Sequence, residues 1–266
     1  MMTRNTRSAA GLLVLVAILF LATSCVISAL EIGPLQTDSE TVEAGAAEEA
    51  SVELTMGAGR LNIDGGANDL MEAQFTYNVE AWKPEVSYDV NDGFGRLKVD
   101  QPDTRDLPLD MGEIQYEWDL RFTESVPIDM EVTMGAGDGQ FELDSLMLNS
   151  LRFEGGAGDI EVDLSGSSLR DLDIRMGAGD VSVDLSGNWQ QDLSANMQGG
   201  VGRATVIVPS KAGVRVEVQG GLGQVNAAGL NRSGNVYTND AYGESEVTLE
   251  IDIEGGIGEI NLELAE

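Results

Sequence analysis

The residues best placed to do chemistry are glycines in pairs, often with an acid beside them. Gly-x-Gly followed by an alternating run occurs eight times, and the second glycine of each pair is Gly59, Gly95, Gly137, Gly158, Gly179, Gly202, Gly223 and Gly258. Three chemistries use such units. A dinucleotide site needs G-x-G-x-x-G opening a helix, so that a pyrophosphate meets the helix N-terminus. Here a run of period two follows each pair, and no helical stretch does. A calcium-binding β-roll repeats G-G-x-G-x-D-x-U-x. "GGAGDIEVD" at 155–163 comes near it, but its Asp falls one place early. The residue after the second glycine is Asp138, Asp159 and Asp180 in three units, Arg60, Arg96 and Arg203 in three others, and Gln224 and Glu259 in the last two. A shared cation-ligand position does not accept Arg. Third, paired carboxylates hydrolyse glycosides. Among 46 Asp and Glu, some pair stands at a suitable separation by chance, so the count singles out no residues. No catalytic, cofactor-binding or metal-ligating residue is assigned, and no cofactor is expected. The chain has no His, which removes His-based acid–base work, Ser–His–Asp triads and most zinc sites.

The glycines read instead as corners. Steps between successive second glycines are 36, 42, 21, 21, 23, 21 and 35, and a fixed period near 21 marks a repeat architecture. Counted from the second glycine, offsets two, four and six are apolar: Ile160, Val162 and Leu164; Val181, Val183 and Leu185; Ala204, Val206 and Val208; Ile260, Leu262 and Leu264. After Gly137 the same offsets hold Gly139, Phe141 and Leu143. Odd offsets are mostly polar, so each run has a dry and a wet face. Runs before the corners, such as "SLRDLDIRM" and "AGVRVEVQ", alternate too. Each unit is then strand, turn, strand, corner, and buries its dry face only by stacking on another. The expected fold is all-β, a β-solenoid or β-helix-like stack of two-strand repeats. Its structural corner glycines are Gly57, Gly59, Gly135, Gly137, Gly156, Gly158, Gly177, Gly179, Gly200, Gly202, Gly221, Gly223, Gly256 and Gly258. Val183 is expected to face the core near Val162 and Val206, with Asp184 in water.

The positioning elements must come from an acidic chain of 266 residues, 42% apolar but only 5% aromatic, with 33 Gly and 6 Pro. A core of Val, Ile, Leu, Met and Ala with many tight corners suits β-structure. The net charge of −31 repels phosphate backbones, so no nucleic-acid partner is expected. One Cys allows no intrachain disulfide. The expected organisation is a signal peptide at 1–24, an acidic flexible tether at 25–50, a β-rich N-terminal part at 51–128 and a regular stack at 129–266. The stretch 229–245, "GLNRSGNVYTNDAYGES", is a loop or a sheet extension that accounts for the step of 35.

Residues 1–25 read "MMTRNTRSAAGLLVLVAILFLATSC". Arg4 and Arg7 precede an apolar core, and small residues lead to Cys25. The segment resembles a bacterial lipoprotein signal peptide with the lipobox "ATSC", departing from it in Ala22 where Leu is usual. The resemblance implies lipid attachment at Cys25 and a place on the outer face of the cell membrane. The apolar run also continues to Leu30, long enough for a single uncleaved transmembrane anchor. Either way the membrane is a partner through the N-terminus.

"EVTMGAGDGQFELDSL" through "VQGGLGQV" at 131–225, and "EGGIGEINLEL" at 254–264, resemble the toast-rack proteins. These are related to the C-terminal domain of LiaF-like cell-wall-active antibiotic response proteins. The likeness extends over 51–266. It implies a stacked β-fold without catalytic residues, and some relatives modulate envelope-stress signalling through membrane partners. The expected function is a non-enzymatic, membrane-anchored extracytoplasmic scaffold or interaction module, with an envelope protein or polysaccharide as partner. The alternatives are an adhesin-like surface protein and, further off, a carbohydrate-active or calcium-binding β-helix protein.

Overall fold

Period-two alternation becomes strand almost everywhere. The computed structural model describes residues 32–102 and 114–265. Cys25, the signal segment 1–24 and most of the "QPDTRDLP" break lie outside the described residues.

The longest strands are β2 (Glu49–Asp64), β7 (Ile128–Glu142), β12 (Leu193–Val208), β13 (Gly213–Ala228) and β16 (Thr248–Leu264). Each runs through a glycine corner, and its two halves pair in two ladders. The first halves pair in parallel with one another and with β5 (Phe94–Asp100), β8 (Leu148–Ala157) and β10 (Asp171–Ala178). The second halves pair in parallel with one another and with β6 (Tyr116–Phe122), β9 (Ile160–Asp163) and β11 (Val181–Asp184). The second glycines Gly59, Gly137, Gly158, Gly179 and Gly202 have φ of +150°, +132°, +140°, +123° and +147°. That conformation flips the pleat by one residue. In β2 the buried positions are Val52, Leu54 and Met56 before the corner, and Leu61 and Ile63 after it. The dry faces of both halves therefore meet in one core, where the rings of Phe141 and Phe153 lie 5.8 Å apart. Val183 is fully buried, opposite Val162 on one side and Val206 on the other.

Three expectations are corrected. First, the rungs do not stack in chain order. β16, the last strand, lies between β12 and β13. Its Leu249, Ile251, Ile253 and Leu262 are buried there. In the second half of β13, Val225 and Ala227 are half-exposed. The more apolar rung takes the covered place, because burial stabilises in proportion to apolar area. A sequential solenoid is therefore not the observed topology. Second, Gly95 is not a corner. Asp92 (φ +51°) and Gly93 (φ +81°) form the two-residue turn of a hairpin between β4 (Glu85–Asn91) and β5. Positive φ at both central residues matches the twist of the flanking strands, and Asp-Gly supplies it. Third, the tether at 25–50 is not flexible over its second half. Gln36–Val42 is a strand, β1, antiparallel to β3 (Met71–Tyr77). Asp38 holds it there, accepting from the Tyr77 hydroxyl at 2.8 Å and pairing with Lys83 at 2.8 Å.

The pairing of β2 with β7 runs across position 128/129, so 51–128 and 129–266 share one sheet. The polar excursion is a sheet extension: β14 (Asn231–Ser233) and β15 (Val236–Thr238) form a hairpin on the first half of β13.

Candidate functional site

The corners line up as two glycine columns. The second glycines stack in the order Gly59, Gly137, Gly158, Gly179, Gly202, Gly258, Gly223. A Cβ on any of the last six would come closer than 3.0 Å to the carbonyl oxygen of the preceding glycine in that order. The first glycines Gly57, Gly135, Gly156, Gly177, Gly200 and Gly256 make a second column with the same restriction. Side chains are excluded there, so the backbones of adjacent rungs close in. Gly221 departs from the pattern. A Cβ there would stand 3.4 Å from the nearest atoms, the carbonyl oxygens of Gly255 and Gly256.

Between the columns stands the middle residue of each unit. In rung order these are Ala58, Ala136, Ala157, Ala178, Val201, Ile257 and Leu222. The four alanines give way to three large aliphatic side chains at one end, and those project outward. Val201 is 55% exposed, Ile257 57% and Leu222 77%, whereas Ala58 at the opposite end is buried. Adjacent rungs are about 4.8 Å apart, so the three form one continuous apolar ridge. Beneath it a narrow cleft of about 80 Å³ reaches in toward Met176, Met197 and Ile253. Pockets that enclose small molecules are usually several times larger, about 300 Å³ and up.

The acids after the corners brace the rungs. Asp159 Oδ1 accepts the backbone N–H of Asp180 at 3.1 Å. Asp180 accepts the backbone N–H of Arg203 at 2.9 Å and its guanidinium at 2.9 Å. Arg203 also reaches Glu259 at 3.5 Å. Arg203 is thus a partner of Asp180 in the adjacent rung, at the end of a run of three successive rungs that carry Asp138, Asp159 and Asp180 at this position. Among the described residues, no group of three or more His, Cys, Asp or Glu could hold a metal ion.

The two ends of the columns differ. At the first, Gln101 is buried and its Oε1 accepts the backbone N–H groups of Gly57 and Ala58, at 2.7 and 3.2 Å. Tyr116 packs against Gly59, and its hydroxyl donates to the Trp82 carbonyl at 2.7 Å. Burial pushes that phenol far above its ordinary pKa. Phe75 and Trp118 meet edge to face at 5.5 Å, and Trp82 and Tyr116 at 5.6 Å. At the other end, β15 covers only Arg215–Glu217 of β13. From Gly220 to Ala228, β16 is the sole paired strand among the described residues.

A model of the N-terminal domain of toast_rack, DUF2154, matches residues 31–168 and 163–207. The chain belongs to the toast-rack family. A solved structure of a candidate cell adhesion protein from Clostridium sporogenes is 31% identical, covers 87% of this chain and 100% of its own, and superposes with a TM-score of 0.70. A candidate adhesin from Bacteroides fragilis covers 86% of this chain and 97% of its own, at 12% identity and a TM-score of 0.32. No curated protein matches. In this toast-rack chain the corner glycines were legible from their spacing. The ridge was written in the same motif, as the change from Ala to Val, Leu and Ile at the middle residue. Gln101 had no such signal, because a single Gln ending a strand belongs to no pattern.

Proposed function

We propose that this toast-rack protein is a non-enzymatic surface protein that holds a stacked β-scaffold outside the cytoplasm and presents its apolar corner ridge to a partner. The observation that carries the reading is the match along the whole length of the candidate cell adhesion protein. Other features agree with it. The cleft beneath the ridge is too small for a substrate, and the groove of about 650 Å³ beside it along the first glycine column lies open to water. Among the described residues, the carboxylates with clearly displaced pKa values, Asp38, Glu72 and Glu217, are lowered by hydrogen bonds and cationic neighbours, the opposite of an acid held protonated for catalysis. The central rungs act as a short solenoid-like spacer, with lipidated Cys25 fixing one end to the outer face of the membrane. An envelope-stress role and an adhesive role differ only in the partner. Radiolabelled palmitate and protease shaving of intact cells test the placement. Label at Cys25, lost in Cys25→Ser, and shaving of the folded part are expected. A soluble, unlabelled, protected chain would overturn it. Capture from envelope extracts, reduced by Val201→Ser with Ile257→Ser, tests the ridge.

A further inference from the structure

Strand edges are usually guarded. A row of unpaired N–H and C=O groups templates further pairing, and proteins blunt it with lysine, proline, bulges or a covering element. In the second half of β13 none of these is present among the described residues. Gly220–Ala228 pairs on one side with β16 and on the other with nothing among the described residues. Gly220 and Gly221 turn through φ of +74° and +86°, and the extended open edge beyond them is the seven residues Leu222–Ala228, about 23 Å. From Val218 to Asn231 there is no charged residue, in a chain whose net charge is −31. Leu222 on this edge is the most exposed large hydrophobic residue among those described. Asn226 Nδ2 donates to Asn261 Oδ1 at 2.9 Å, the first step of an amide ladder that another strand can extend.

We propose that this edge pairs with the same edge of a second copy, joining two sheets antiparallel about a twofold axis. Unpaired backbone groups select an extended strand as the occupant. The choice of a second copy follows from what else the edge offers. It has no charge with which to select a charged segment and no deep side-chain pocket with which to read a sequence. It offers an amide row and aliphatic side chains, Leu222 with Ile257 beside it, and a twofold interface sets each against its like. Pairing about Val225 places Leu222 opposite Ala228 and Gln224 opposite Asn226, and keeps the polar face of one strand beside the polar face of the other. The opposing force is repulsion between two bodies of charge −31, which salt screens over about 10 Å. Association should therefore tighten as salt rises. The inference does not depend on where the protein is located or on its surface partner.

The test is sedimentation velocity of the full chain in density-matched nonionic detergent, from low micromolar to hundreds of micromolar and from low to high NaCl. The expected species has twice the chain mass at high concentration, with a dissociation constant that falls at least about tenfold as salt rises. Leu222→Lys with Gln224→Lys, both exposed in the single copy, should leave the melting temperature unchanged and give one chain mass throughout. Hydrogen exchange of the unaltered protein provides a second readout, with amides in 222–228 slowing as concentration rises. A single-copy mass under all conditions overturns the proposal, and so does a dimer that persists in the folded lysine variant. A dimer whose 222–228 amides exchange freely also overturns it, since the copies then meet elsewhere.

Discussion

The stack ends in two different ways. At the end headed by Gly59, Gln101 takes up two backbone N–H groups of the corner, an aromatic cluster fills the space behind it, and further strands extend both ladders, β5 and β4 the first and β6, β3 and β1 the second. At the end headed by Gly223, only the first ladder is extended, by a short hairpin, and the corner and second ladder stop at bare backbone. The rungs between are nearly interchangeable, so the repeat itself does not explain the asymmetry. A stacked repeat is an incomplete object wherever it stops, and its last rung needs a cap or a partner. One end of this chain has the cap. The other has an uncharged edge and the most exposed aliphatic residues, which is the composition of a contact surface.

The difference can be broken most severely at the corners. Gly156→Ala places a Cβ against the Gly135 carbonyl oxygen, with rungs packed on both sides. No native protein is expected, which circular dichroism and a missing cooperative melt would show. The corresponding change at the open end, Gly221→Ala at φ +86°, has room for the methyl group and should cost about 1–2 kcal/mol, from backbone strain alone. Equal effects would mean that the two ends are equally constrained.

A second pair compares one register position in two rungs. Val183, Val206, Leu262 and Ala227 occupy the same place in adjacent rungs. Val183→Asp buries a carboxylate without a partner and should cost about 4 kcal/mol in urea denaturation. Ala227→Asp at the open edge should cost less than about 1 kcal/mol, because water reaches that side chain. Asp184→Asn, on the wet face beside Val183, should change stability by about 0.5 kcal/mol or less. A tolerant Val183 with a sensitive Asp184 would place the pleat one residue out of register.

The cap itself is sharpened by Gln101→Ala. Two backbone donors lose their acceptor in a buried place, so a loss of about 1–3 kcal/mol is expected. Gln224→Ala at the exposed opposite edge should be neutral within about 0.5 kcal/mol. If the two variants melt alike, Gln101 is not acting as a cap.

The smallest effect is one of pH. Hydrogen bonds from Lys83 and Tyr77 hold the Asp38 carboxyl below its ordinary value of 3.8. Its contribution to the hold on β1 is therefore present above that value and disappears as pH falls below it. Amides of Gln36–Val42 should open a few-fold more often on going from pH 5 to pH 2.5, after correction for intrinsic exchange, and Asp38→Asn should remove the dependence. A β1 whose opening ignores pH would show that the Asp38 contacts contribute nothing in water.

Much of this was legible in the chain itself. Alternation at offsets two, four and six from each second glycine marked the strands and their dry faces, because a pleat has a period of two whatever it packs against. The glycine pairs announced corners, because positive φ and close backbone approach are local demands that one residue type meets at no steric cost. The polar stretch 36–42 read as tether, since what holds it, the ladder to β3 and the contacts of Asp38 with Tyr77 and Lys83, is distant in sequence. Gly93–Phe94–Gly95 had the spacing of a corner but makes a hairpin, because its neighbour Asp92 also turns to positive φ and β4 is there to pair with β5. What only the tertiary structure decided is which rung lies beside which. Every corner rung carries the same glycine register and stacks on any other, so local pattern cannot order them. From β2 to β12 the rungs follow chain order, and at the far end the more apolar rung is the covered one, with β16 inside, β13 at the edge, and Val201, Ile257 and Leu222 side by side in water.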